Sequence, residues 1–583
     1  MDASWWDDAV VYQVYLRSFF DANGDGIGDL AGLRNQLPYL SALGVDAVWL
    51  NPCYTSPQRD HGYDIADYLT VDPSYGTMDD FRALVADAHE SGIRVLMDMV
   101  ANHCSDQHAW FVEALASAPG SPSRERFLFR DGRGAGGELP PNNWQSVFGG
   151  PAWSRVTEAD GSAGQWYFHA FDPGQPDFNW RNPDVADYFD EVLRFWYSLG
   201  VDGFRIDVAH GHFKQVELND WPGAEDDSGG HNYDMWDQPE VHEIYRRWRA
   251  LGAEGPGEEK YLVGEIWVPS LERLAAYLAP DELHAAFSFE LLVQPWDAAR
   301  MARAVRLSLD QAKRTGTRQA WTLANHDVHR PATRYGQQQL LEDALPTDMI
   351  AAARRTGEAD LDLGVRRATA AAMLQLALPG SVYLYQGEEL GLPEVLDLPD
   401  DARQDPIWLR SAGAELGRDG CRVPMPWEAD AQSFGFSPAG AAAPWLPQPP
   451  VFSELAVDQQ DGVAGSTLSR FREAIRTRRD HFDPDAELAW LDSGHAELLA
   501  FTRGASACVV NFGDTDLALP TSWSAELVLA SAPISVGGDV LAIPANSAAW
   551  LRIDRVAAAS AGPVQADGVH QDSPFPLLES TAP

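Results

Sequence analysis

The stretch Gly203-Phe-Arg-Ile-Asp-Val208 reads as a short buried strand that ends in charge, with Arg205 and Asp207 at its close. An amphipathic helical pattern over Val185–Leu199 precedes it. The same alternation runs outward in both directions. Strands are expected at Val10–Leu16, Asp46–Asn51, Ile93–Val100, Gly203–Val208, Tyr261–Trp267, Ala285–Glu290, Gln319–Asn325 and Ser381–Gln386. Another helix is expected over Met78–Glu90, with Phe81, Leu84, Val85 and Ala88 on its apolar face. Strands alternating with helices give a parallel α/β sheet. Eight of them point to a closed (β/α)8 TIM barrel.

One connection is too long for a plain loop. About 100 residues separate the third strand from the fourth, and a structureless segment of that length does not suit a compact domain. The Gly-, Pro-, Ser- and Trp-rich residues 105–171 are expected to form an inserted subdomain, leaving 1–104 and 172–486 for the barrel. From Glu487 the texture changes to alternating runs such as Leu498–Thr502, Ala507–Asn511, Ala525–Ala530 and Ala548–Ile553, parted by turn residues. These predict a C-terminal antiparallel β-sandwich domain over 487–555. Residues 556–583 have little to bury and are expected to be a loose tail.

The 583-residue chain carries a net charge of -43. Such a surface repels phosphate backbones and anionic membranes, so nucleic acid and membrane are poor partners and a neutral small molecule a good one. Twenty-one Trp residues offer flat faces for sugar rings, although most are expected to serve packing. Cys53, Cys104, Cys421 and Cys508 follow no metal or disulfide spacing and read as free thiols. With no signal-peptide pattern and no apolar run near ~18 residues, the expected location is the cytoplasm.

Reactive side chains gather at the C-terminal ends of the expected strands. Asp98 with Asn102 and His103 closes the third, Arg205 and Asp207 the fourth, and Glu265 the fifth; His326 and Asp327 follow the seventh. In a (β/α)8 barrel these ends converge on one mouth. A lone Asp after a strand is commonly a turn former, but a set at four strand ends points to a site. Paired carboxylates suit glycoside hydrolysis, where one protonates the leaving oxygen and the other meets a cation-like anomeric carbon.

These motifs resemble those of the α-amylase superfamily, in its α-glucosidase and oligo-1,6-glucosidase branch. The matching elements are Asp98-Met-Val-Ala-Asn102-His103, Gly203-Phe-Arg205-Ile-Asp207-Val208, Gly264-Glu265-Ile-Trp and Ala324-Asn-His326-Asp327. Gln175-Pro-Asp177-Phe-Asn-Trp180, Asp60-His-Gly-Tyr63-Asp64 and Arg422-Val-Pro-Met-Pro-Trp427 are similar to further family elements. The resemblance implies Asp207 as nucleophile, Glu265 as general acid/base, and Asp327 on the 2- and 3-hydroxyls of the terminal glucose. It implies that His103 and His326 bond the same ring, that Arg205 orients Asp207, and that Tyr63 stacks on the sugar. Asp60 and Arg422 would pair to close the pocket beyond the 4-hydroxyl, with Phe148 and Phe171 as hydrophobic walls. The implied activity is that of an exo-acting retaining α-glucosidase on maltose and short malto-oligosaccharides. An oligo-1,6-glucosidase, a trehalose synthase or a sucrose isomerase would use the same residues.

The run Asp21-Ala-Asn23-Gly-Asp25-Gly-Ile27-Gly-Asp29 places oxygen ligands at every second residue. Oxygen-only sets suit hard cations such as Ca2+ or Mg2+. An EF-hand is excluded, because its twelfth position is Gly32. An Asx-rich surface turn would use the same residues; the resemblance favours a structural cation.

Overall fold

The computed structural model describes residues 4–158, 160–223, 232–254, 257–339, 357–537 and 540–556. Eight strands close into a parallel barrel: β1 Val10–Val14, β2 Ala47–Leu50, β3 Arg94–Met99, β4 Gly203–Ile206, β5 Tyr261–Gly264, β6 Ala285–Ser288, β7 Ala320–Thr322 and β8 Ser381–Tyr385. Closure comes from β1, which pairs with β2 on one side (Val11↔Ala47) and with β8 on the other (Val10↔Val382). All eight strands fall inside the spans expected from the sequence. Several end two or more residues early, although Asp207 and Glu265, just past two of them, still donate to the neighbouring strand.

Side chains alternate between the two faces of a strand. Val11, Trp49, Leu96, Val263, Phe287 and Tyr383 form one buried cluster inside the barrel. Two residues further along, the same face carries Gln13, Asn51, Asp98 and Glu265, so the interior turns from apolar to polar toward the mouth. Gly203 allows the close approach of β4 to β5, where a Cβ would lie 2.2 Å from the Tyr261 carbonyl oxygen. At the opposite end Trp6 stacks on Tyr261, with ring centroids 5.2 Å apart, and plugs the barrel floor.

The helix over Met78–Glu90 starts at a Thr77/Asp80 capping box and buries Phe81, Leu84, Val85 and Ala88, as expected. The helix before β4 runs over Pro183–Ser198, two residues earlier than its apolar pattern. Asn182 caps it and Pro183 occupies its first turn, a start set by cap chemistry and not by periodicity.

Between β3 and β4 lies a three-stranded antiparallel sheet of Phe129–Arg130, Ala163–Phe168 and Trp153–Thr157. Its core of Leu128, Trp144, Trp153 and Phe168 also takes in Leu218 and Met235 from the segment after β4. The inserted element is therefore completed by chain outside 105–171. After the barrel comes a five-stranded antiparallel sheet in the order Leu488–Trp490, Leu498–Arg503, Ser506–Asn511, Ser547–Val556, Trp523–Ala530. A three-stranded sheet accompanies it. Trp550 Nε1 donates to the Met373 carbonyl at 3.2 Å, joining this domain to the barrel helices. Val556 ends the last strand; the rest of the expected tail, 557–583, lies outside the described residues. No helix among the described residues is long and apolar enough to cross a membrane.

Candidate active site

Asp98, Arg205, Asp207 and Glu265 meet because of strand register. Asp98 lies opposite Arg205, and Arg205 lies opposite Val263. One alternation further places Asp207 and Glu265 on the same inward face. Their backbones stay on the barrel ladder, with Asp207 N–H donating to Met99 O (3.0 Å) and Glu265 N–H to Ile206 O (2.9 Å). The carboxylates therefore stand on rigid backbone.

Arg205 is the hub. Its Nη1 lies 2.7 Å from Asp98 Oδ1 and 2.6 Å from Asp207 Oδ1, and its Nη2 donates to Glu265 Oε2. Glu265 also accepts from the Val208 N–H (3.2 Å) and from Trp267 Nε1 (3.0 Å). Asp98 accepts from Trp49 Nε1 and from the Tyr63 hydroxyl at 2.9 Å, and Asn51 donates to that hydroxyl. Asp98 thus anchors the arginine that orients Asp207.

Three buried carboxylates share this one guanidinium. Burial pushes Asp98 up to about 6, against the pull of Arg205. Burial also pushes Asp207 well above the usual carboxylate range; Arg205 opposes the rise, while Glu265 and Asp98 add to it. Arg205 thus offsets the mutual repulsion of the three carboxylates it holds.

Tyr63 lies parallel to His326, with centroids 5.2 Å apart and planes at 5°. Gln13 Nε2 is 2.8 Å from His326 Nδ1, which leaves the proton of the neutral ring on Nε2, facing Asp327 Oδ2 at 3.4 Å. Burial holds His326 well below its ordinary value and His103 down to about 4. Phe171 packs on His103 at 5.1 Å and on Phe148 at 5.3 Å, so both expected walls reach the pocket.

The expected Asp60–Arg422 pair is corrected. Asp60 Oδ1 bonds Arg418 Nη2 at 2.7 Å. Arg422 is already held, by its Nε on the His326 carbonyl at 2.8 Å and its Nη2 on Asp327 at 3.0 Å. Arg418 reaches Asp327 as well, at 3.2 Å, and stacks over Phe148. Burial alone would raise Asp405, but Arg418 and Arg422 together hold it below the carboxylate range. Asp60, Arg418, Asp327, Arg422 and Asp405 thus form a continuous wall. Arg418 precedes Arg422 by four residues, and nothing in that spacing tells which of the two crosses to Asp60.

Lys214 is a second residue that sequence reasoning missed. Buried after β4, it donates to Asp177 Oδ2 (2.9 Å), Asn102 Oδ1 (3.0 Å) and the Gly211 carbonyl. It ties the β4 loop to the β3 loop and to the exit of the inserted element.

In the loop Asp21–Asp29 the side-chain oxygens turn onto the loop's own backbone. Asp21 accepts from Gly24 and Gly26 N–H, Asn23 from Asp25, Asp25 from Ile27, and Asp29 from Ala22, Asn23 and Gly32. Among the described residues no group of three or more His, Cys, Asp or Glu is gathered as metal ligands. The donors are nonetheless all oxygen and fit a hard cation in kind. The loop docks on a late segment through Ala442 N–H to Gly24 O and Trp445 N–H to Gly26 O.

Residues 13–484 match the family model described as alpha amylase, catalytic domain. The chain is 37% identical over 495 residues to a probable alpha-glucosidase of Rhizobium meliloti (strain 1021), covering 82% of this chain and 83% of the relative. It is 34% identical to an oligo-1,6-glucosidase of Parageobacillus thermoglucosidasius, covering 82% and 84%. The crystal structure of the α-glucosyl transfer enzyme XgtA superposes with a TM-score of 0.81 at 33% identity, covering 95% of this chain and all of that one. The chain belongs to the alpha-amylase family of glycoside hydrolases.

Proposed function

We propose that the protein is an exo-acting retaining α-glucosidase, which releases glucose from the non-reducing end of maltose and short malto-oligosaccharides. One arrangement supports this above all: a guanidinium holds two carboxylates side by side at the foot of a pocket walled by Asp60, Arg418 and Asp327. A wall beyond the terminal ring admits chain ends only. Two carboxylates bridged by one guanidinium suit the retaining separation of roughly 5–5.5 Å better than the ~6.5–9.5 Å of an inverting pair.

Asp207 attacks the anomeric carbon while Glu265 gives its proton to the departing glycosidic oxygen, leaving a β-glucosyl ester on Asp207. Glu265 then takes a proton from water, the water oxygen attacks the same carbon, and the ester bond to Asp207 breaks. The glucose released is the α anomer. Proton NMR of maltose digestion tests this: α-glucose must appear first, and a first product in the β form overturns the reading. Soluble starch should be a poor substrate beside maltose.

Similarity to a glucosyl transfer enzyme and to an oligo-1,6-glucosidase supports a second reading, with sugar as acceptor or an α-1,6 bond as target. Appearance of a new disaccharide in place of free glucose, or preference for isomaltose, would select it. We further propose a structural Ca2+ or Mg2+ held by Asp21, Asn23, Asp25, the Ile27 carbonyl and Asp29, with no part in the chemistry. The four free and buried thiols support the cytoplasm as the place of action.

A further inference from the structure

Trp267 Nε1 donates to Glu265 Oε1 at 3.0 Å, and two structural facts make this bond more than incidental. The indole cannot turn, because it lies flat on Phe289, with centroids 3.8 Å apart and planes at 6°. Phe289 is itself buried and follows β6 directly, against Phe287 inside the barrel. Two neighbouring strands therefore cooperate: β5 supplies the acid and the indole, and β6 supplies the plate that fixes the indole. The other oxygen, Oε2, is held by Arg205 and the Val208 N–H.

We propose that Trp267 is a positioning residue that fixes Oε1 of Glu265 in one orientation for proton delivery to the departing glycosidic oxygen. This rests on the glucosidase reading above. A carboxyl group held at both oxygens cannot rotate, so its proton is presented in one direction, and a small misplacement of such a group lowers the rate. The charged groups around Glu265 are Arg205 and Asp207 from β4 and Asp98 from β3, and β7 brings Asp327 to the same pocket. His210, after β4, lies 3.5 Å from the Trp267 backbone nitrogen, while β6 presents Phe287 and Phe289. Of the donors to Glu265, the indole is the one removable without changing charge or backbone.

The test is the split between kcat and KM in Trp267→Phe, which keeps an aromatic ring on Phe289 and removes the N–H. On maltose kcat should fall about 10-fold with KM little changed, while an activated aryl glucoside, whose leaving group needs no proton, should keep a kcat near wild type. Phe289→Leu keeps the N–H but frees the ring, and should lower kcat on maltose in the same way by less; it carries the test if Trp267→Phe fails to fold. Wild-type kcat on maltose in both variants, with only KM raised, makes Trp267 a mere wall and overturns the proposal. Wild type that releases no glucose from any α-glucoside overturns the glucosidase reading itself.

Discussion

Arg418 Nη2 lies 2.7 Å from Asp60 Oδ1, so residues 358 positions apart close one side of the pocket. Both are buried, and each has further partners: Gln175 on Asp60, and Asp405 and Asp327 on Arg418. Truncating one member of such a pair strands the other's charge. Asp60→Asn keeps the shape and should lower kcat/KM on maltose by about 100-fold, the scale of one charge-assisted hydrogen bond. Arg418→Met takes the cation from Asp60 and leaves Asp327 and Asp405 to Arg422 alone, and should also lower the melting temperature. Wild-type kinetics in both would remove the wall from the account of exo action.

The two acids should fail differently. Asp207→Asn should abolish turnover of every substrate, because no nucleophile remains. Glu265→Gln should spare part of the reaction with an activated aryl glucoside, whose leaving group needs no proton. Equal sensitivity of the two variants to leaving-group quality would reverse the assignment.

Val208, next to Asp207, tests linkage choice. Its backbone is left-handed at φ 43°, a strained setting for a β-branched residue, and a Cβ on Gly211 would meet its Cγ1 at 2.7 Å. The bare Gly211 thus leaves room for the Val208 side chain beside the nucleophile. If it narrows the pocket entry, Val208→Ala should raise the maltose-to-isomaltose ratio of kcat/KM by up to about 100-fold. An unchanged ratio would move linkage choice elsewhere.

Acid should weaken the fold through buried histidines. Burial holds His108 down to about 4, and its Nδ1 accepts the Trp110 N–H as a neutral ring must. The unfolded chain binds this proton near pH 6.5, so the contribution of His108 is whole above that pH and is lost as pH falls from 6.5 toward 4. Asp64 and Asp98, both pushed up to about 6, act in the opposite sense: their contribution is present at low pH and lost as pH rises through 6. Comparing His108→Gln with wild type isolates one group. Between pH 7.5 and 5 wild type should lose about 1–2 kcal/mol more in a denaturant titration than the variant. Equal losses would mean that His108 is protonated in the fold.

If the Asp21–Asp29 loop holds its cation, chelation should lower the melting temperature while activity at low temperature stays constant, because the ion stabilises only the native state. A melt indifferent to chelator, in protein that contains no metal, would leave the loop as a turn held by its own amides.

The barrel was legible because each strand is a short apolar run with charge at its end, as in Gly203–Val208. The C-terminal limits were read too long because Asp207 and Glu265 keep ladder hydrogen bonds past the last assigned strand residue. The carboxylates could be found by position along the chain, since strand ends share one mouth. Partners were harder. Arg418, Arg422 and Lys214 lie in loops, where spacing carries no periodicity and side-chain direction depends on tertiary contacts. The inserted element's debt to Leu218 and Met235 was hidden for the same reason: a core shared across a strand has no local signature.

Closure of β1 on β8 and of Asp60 on Arg418 has a consequence for synthesis. At ~5–20 residues per second, a ribosome that has made Asp60 needs about 20–70 s to reach Arg418. Until β8 follows at Ser381–Tyr385, Asp98, Asp207 and Glu265 stand on an unclosed sheet with a bare β1 edge. That open edge is exposed to mispairing, and a chain cut between residues 327 and 418 inherits every catalytic carboxylate but lacks the Arg418 side of the pocket.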